Sequence, residues 1–117
     1  VYINPNQIIE VHVVGDQTQA SVAAMGNEIE ALITQVKSEG KRALILDNLT
    51  QMGSVEQAAR NAVVDLAKKL PYDKLAMVGK GGGLLRLGAN LILRATGKGG
   101  RVHYFDDMSK AQQWLAS

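Results

Sequence analysis

Three stretches of the chain hold residues whose type and spacing bear on chemistry. The first is Gly79-Lys80-Gly81-Gly82-Gly83, which stands between a short apolar run and a leucine-rich segment. A glycine loop at the start of a helix presents free amides to an anion, and Lys80 and Arg86 would add positive charge. The string meets neither strict phosphate pattern. It lacks the Gly-Lys followed by Ser or Thr of a phosphate-binding loop, and counting from Gly79 the sixth position of a dinucleotide fingerprint is Leu84. No acidic residue follows about 20 residues later to hold a ribose. A turn that lets strand and helix pack closely is the alternative reading.

The second stretch is Asp47 to Ser54, between a buried strand and a helix. Thr50 and Ser54 carry hydroxyls that can accept a phosphoryl group. At Ser54 the added charge would face a helix N-terminus, where it is favourable. Ser54-Val55-Glu56-Gln57 also fits a capping box, with Ser54 as N-cap and Gln57 reaching back, and capping alone accounts for that serine. Asp47 reads as a strand-end carboxylate held by nearby amides. The third stretch is the segment 84–96, where Leu84, Leu87, Leu91 and Leu93 spread apolar surface around a helix whose polar stripe is Arg86, Asn90 and Arg94. Such a helix is covered on most sides or offers a contact face, for a second copy, a partner or a lipid.

The remaining candidates carry less. His12 shares the exposed side of its strand with Glu10 and reads as a solvated surface histidine. His103 lies beside Arg101 along a strand. Neither has a Ser-Asp or metal-ligand partner nearby in sequence. Asp106-Asp107 reads as a helix cap rather than a metal pair. There is no cysteine, which removes disulfides, thiolate metal sites and a cysteine nucleophile. No cofactor, metal site or catalytic constellation is predicted.

The elements that must position these residues follow from periodicity. The chain has 117 residues, which is one domain by length, with 46% hydrophobic and 21% charged residues, the mix of a globular domain. Val1 to Ile3 and Ile8 to Val14 read as strands parted by Asn4-Pro5-Asn6, an antiparallel pair at a sheet edge. A helix follows to about Glu39, with Thr18 as N-cap and Gly40 as its stop. Ala43 to Leu46 reads as a strand covered on both faces and ending at Asp47. A helix from Ser54 closes at Pro71. Leu75 to Val78 is a buried strand, Leu84 to Thr96 a helix, Val102 to Phe105 the last strand, and Asp106-Asp107 caps a final helix. The order β-β-α-β-α-β-α-β-α predicts an α/β fold: a mostly parallel mixed sheet of about five strands, an antiparallel N-terminal edge and four helices.

Charge is distributed unevenly. From Lys74 to Tyr104 there are six basic residues and no acidic one, although the net charge is only +2. One end of the molecule should therefore favour anions, unless folding scatters these residues. Aromatic residues total 4%, which leaves few stacking platforms and argues against nucleic-acid binding. No apolar run reaches the length of a membrane span. With no charged leader ahead of Val1, the sequence favours a cytoplasmic domain.

The element order, together with Gly40-Lys41-Arg42-Ala43-Leu44-Ile45-Leu46-Asp47, Lys74 to Gly79, Leu91 to Gly97, Val102 to Asp107 and Ala111 with Trp114-Leu115, resembles the STAS superfamily (sulfate transporter and anti-sigma-factor antagonist). The likeness is to its small bacterial branch, often labelled STAS/SEC14. What the resemblance implies is a non-catalytic protein-interaction or regulatory module. In the antagonists the switch serine lies at the start of the helix after the central strand, which maps most nearly onto Ser54. The antagonists carry an Asp-Ser-Ser-Gly-type string there, and this chain has Met52-Gly53-Ser54-Val55. The expectation is a homodimer or a protein-binding module, with Ser54 as a phosphorylation site. The alternative is a binding domain for an anionic small molecule, a nucleotide or a lipid, the last in line with SEC14 kinship.

Overall fold

The computed structural model describes residues 1–79 and 100–117. Its strands are β1 (Tyr2–Ile3), β2 (Ile9–Gln17), β3 (Leu44–Val55), β4 (Lys74–Val78) and β5 (Val102–Phe105). Its helices are α1 (Gln19–Ser38), α2 (Gln57–Lys69) and α3 (Met108–Ala116). The strands form a single sheet in the order β1-β2-β3-β4-β5. β1 pairs with β2 antiparallel, and every other pair is parallel. This is the mixed α/β sheet expected from sequence. Three helices lie among the described residues. The predicted helix 84–96 falls outside them.

Alternation along the strands divides the apolar residues between two faces. Ile9, Val11, Val13, Ile45, Leu75, Met77 and Val102 point to one side, where Ile33 and Val36 of α1 and Ala67 of α2 close over them. Leu44, Leu46, Ala76 and Val78 point to the other, where Ala111 and Leu115 of α3 cover them. Gly26 of α1 faces Leu66 of α2 so closely that a Cβ there would stand 2.7 Å from the leucine methyls. Glycine at this position sets the spacing of the two helices.

The caps of α1 are those the sequence predicts. The Thr18 hydroxyl accepts from the Ser21 N–H at 3.1 Å, and Ser21 Oγ accepts from the Thr18 N–H at 2.9 Å. Gly40, at φ +75°, follows the last turn in the left-handed conformation that glycine adopts without cost. Asp107 caps α3, accepting from the Ser109 and Lys110 N–H groups.

β3 departs from expectation. It does not stop at Asp47 but runs on to Val55. The neighbouring β2 continues to Gln17 and supplies the ladder, with Val14 opposite Gln51 and Gln17 opposite Val55 after register shifts. Residues 48–55 mix polar and apolar side chains because this part of the strand is only partly covered, and that mixture hid the strand from an apolar-run criterion. β4 accompanies β3 only from Leu44 to Asn48. Past that point β2 and β3 continue, among the described residues, as a two-stranded parallel ribbon.

Candidate functional site: the carboxyl ends of β2 and β3

Ser54 lies at the far end of this ribbon, and it is not the N-cap of α2. Glu56 holds that position without a side-chain cap bond. The extra strand residues push the helix start beyond the serine. The Gln57 side chain donates to Asn61 Oδ1 at 3.2 Å instead of reaching back. Ser54 is exposed, and its N–H donates to Asp16 Oδ1 at 2.8 Å. That bond, joined by one to the serine side chain, holds the Asp16 carboxyl below its ordinary range. Gly53 leaves room for the contact, since a Cβ there would fall 2.3 Å from Asp16 Oδ1. The Gln19 N–H donates to Glu56 Oε1 at 2.9 Å, which ties the start of α1 to the start of α2 beside the serine.

Nearer the middle of the sheet, a polar ladder crosses β1, β2 and β3 on the α3 side. Asn4 Oδ1 accepts from the N–H groups of Asn6 (2.9 Å) and Ile8 (3.0 Å), so its Nδ2 is turned toward Glu10 Oε1, at 3.0 Å. Glu10 Oε2 accepts from the Tyr2 hydroxyl and lies 3.1 Å from His12 Nε2. Burial works to raise the Glu10 carboxyl, but the hydrogen bonds from Tyr2, Asn4 and His12 together outweigh it and hold the group below its ordinary range. The Tyr2 and His12 rings stack with centroids 5.8 Å apart and planes 9° from parallel. On the next strand Asn48 Oδ1 accepts from the Thr50 N–H (3.0 Å) and the Thr50 hydroxyl (2.7 Å), while Asn48 Nδ2 lies 3.5 Å from His12 Nδ1. His12, Val13, Val14, Asn48, Thr50 and Gln51 enclose a shallow cavity of about 170 Å³.

Asp47, one residue earlier on β3, points to the opposite face. Among the described residues no amide holds its Oδ1, contrary to the sequence expectation. Its Oδ1 is inaccessible to solvent and has no hydrogen-bond partner among the described residues. Burial pushes its pKa up to about 7. The strand does not end at Asp47, so no loose amides converge there.

Gly79 directly follows β4 and donates its N–H to the Phe105 carbonyl at 3.2 Å. The rest of the predicted anion loop (Lys80, Gly81, Gly82, Gly83 and Arg86) and the predicted contact face (Leu84, Leu87, Leu91 and Leu93) lie outside the described residues. His103 packs its ring edge-on against Trp114 at 4.7 Å, an aromatic contact beside α3. Among the described residues no group of three or more His, Cys, Asp or Glu side chains is placed to hold a metal ion. None of the described helices is long and apolar enough to cross a membrane.

A profile of the SpoIIAA-like family matches residues 8–116, the span from the start of β2 to the last turn of α3. The chain belongs to the SpoIIAA-like family. A solved structure shares its fold: an uncharacterised protein of the DUF3478 family from Shewanella loihica PV-4, itself described as SpoIIAA-like. It is 20% identical, covers 91% of this chain and 82% of its own, and superposes with a TM-score of 0.68. No curated protein matches the chain. The family assignment agrees with the STAS resemblance carried by the sequence.

Sequence reasoning placed Glu10 and His12 on one side of β2 but took His12 as merely solvated. A usable signal was present. A tight turn at Asn4–Asn6 brings Tyr2 opposite Glu10, two residues from His12 on the same face. The Asn48 contact had no local signal, because it depends on the parallel register of β2 and β3.

Proposed function

We propose that this SpoIIAA-like chain is a non-catalytic regulatory module that binds another protein or a second copy of itself, with Ser54 as its phosphorylation site. The observation that carries this reading is the contact between Ser54 and Asp16. The serine is exposed, sits at the carboxyl end of a parallel strand, and gives its N–H and hydroxyl to one carboxylate. A phosphoryl group brings a charge of about −1.5 to −2 and cannot share that position with Asp16. The contact would break, and with it the junction at which Glu56 joins the two helix starts. A surface that already carries the Asp16 and Glu56 carboxylates would become far more acidic, which is a change that a partner can read.

Phosphopeptide mapping of the chain isolated from its native cells tests the switch, and light scattering with affinity capture on the same material tests association. A phosphate at Ser54, and a captured protein that the Ser54→Asp variant binds differently from the Ser54→Ala variant, are expected. Ser54 unmodified in every growth condition removes the switch. A monomer that captures nothing removes the interaction module.

A further inference from the structure

We propose that the cavity between β2 and β3 at His12 binds a small neutral molecule through a cis-amide edge, an N–H beside a C=O, as found in a carboxamide, a urea or a pyrimidine. This site is separate from Ser54 and does not depend on its modification.

The argument rests on which atoms carry hydrogen. Asn4 is buried, and two backbone N–H groups fix its Oδ1, so its NH2 must face Glu10. The ionised Glu10 carboxylate is acceptor only, so the ring nitrogen beside it, His12 Nε2, carries the proton. From the other side, Thr50 fixes Asn48 Oδ1 with two hydrogen bonds, so the Asn48 NH2 must face His12 Nδ1. In the neutral ring both contacts favour the same tautomer, with the proton on Nε2 toward Glu10 and a lone pair on Nδ1 toward the Asn48 NH2.

That lone pair is poorly used. Its donor, Asn48 Nδ2, stands 3.5 Å away, beyond the 2.7–3.2 Å of ordinary N–H hydrogen bonds. The His12 side chain is 46% exposed, so the pair is not sealed from solvent. The cavity thus presents a fixed acceptor and a fixed donor side by side. A cis-amide supplies the complement: its N–H donates to Nδ1, and its carbonyl accepts from the Asn48 amide, with Gln51 at the rim.

Size and charge narrow the class. A volume of about 170 Å³ holds roughly five or six waters, or one small planar ring. The Glu10 carboxylate lies one imidazole ring away and repels carboxylates and phosphates, which favours a neutral ligand. Val14, exposed beside His12, gives the wall an apolar part. Pinning β1 to β2 would need only the bonds among Asn4, Tyr2 and Glu10. It would not need an immobilised histidine facing a held asparagine.

Long-range 1H–15N spectra of the wild-type chain, titrated with uracil and with nicotinamide, test the proposal. His12 is expected as the Nε2–H tautomer. Its Nδ1 resonance should move saturably with either probe, and 1,3-dimethyluracil and benzoate should bind at least about tenfold more weakly. Asn48→Leu should weaken uracil and nicotinamide binding by a similar factor. An Nδ1–H tautomer overturns the proposal, as does an Nδ1 resonance unmoved by millimolar uracil and nicotinamide. Dimethyluracil or benzoate acting as strongly as uracil also overturns it. The tautomer and the probe comparison need no variant, so an Asn48→Leu chain that fails to fold leaves the test intact.

Discussion

Val11 with Asp47, and His12 with Asn48, are consecutive rungs of the same parallel ladder, and they face opposite ways. On the α1–α2 side, Asp47 is set beside an apolar cluster with its Oδ1 unpartnered among the described residues, and its pKa rises to about 7. On the α3 side, one residue along each strand, the polar groups are tied to one another. There the Glu10 carboxyl is held below its ordinary range by its three donors. Two carboxyls of similar intrinsic acidity are thus driven in opposite directions by what faces them. Burial without donors favours the proton, whereas burial with donors favours the charge.

The largest test of this contrast is at Asp47. A carboxyl at its ordinary 3.8 in the unfolded chain and about 7 in the folded one contributes fully below pH 3.8 and loses that contribution as pH rises to about 7. At about 1.4 kcal/mol per pH unit the loss amounts to as much as about 4 kcal/mol. Urea unfolding from pH 3.5 to pH 8 should show this decline in the native sequence and a much flatter profile in Asp47→Asn. Equal slopes in the two would show that Asp47 has a donor after all.

Asn4→Ala comes next. It removes the acceptor for the Ile8 N–H, which is buried, together with one donor to Glu10, and should cost about 2 kcal/mol in the same melts. The variant should also loosen the His12 tautomer preference, visible as a second set of ring-nitrogen resonances. A full-stability variant would mean that the turn anchors nothing.

Glu10→Gln sharpens the comparison through its sign. The native contribution of Glu10 is present above the ordinary carboxyl value and lost as pH falls through its lowered one, the reverse of Asp47. The effect is discounted by solvent near a half-exposed histidine, and should stay below about 1 kcal/mol. The difference between native and Glu10→Gln melts should shrink on acidification. A difference that grows as pH falls would assign the wrong sign to the ladder. Val14→Thr is the smallest change: Val14 is 62% exposed, and its replacement should shift stability by no more than about 0.5 kcal/mol.

Much of the architecture was readable because strong local signals marked it. Thr18 and Gly40 bracket α1 by cap chemistry, and Asp107 opens α3 in the same way. Apolar alternation in β2 and the unbroken run Leu44–Leu46 placed the centre of the sheet. The second half of β3 was not readable, because polar residues and Gly53 interrupt its apolar ones and its extended form is owed to β2 rather than to its own propensity. The same omission put Ser54 at a helix cap that Glu56 holds. At the candidate site, local pattern reached Glu10 and His12. The Asn48 partner and the isolation of Asp47 both depend on which rung meets which across the long crossover between Gln17 and Leu44.

The paired tails of β2 and β3 have a kinetic consequence. Their partners are far apart in sequence, so no tight turn can nucleate them, and parallel pairing is slightly weaker per residue than antiparallel. Among the described residues no third strand flanks them past Asn48. Their amide protons should therefore exchange with solvent ahead of those in β4, through local opening that leaves the rest of the sheet closed. An enzyme that must thread an extended peptide through its active site would meet Ser54 on a segment that yields before β4 does.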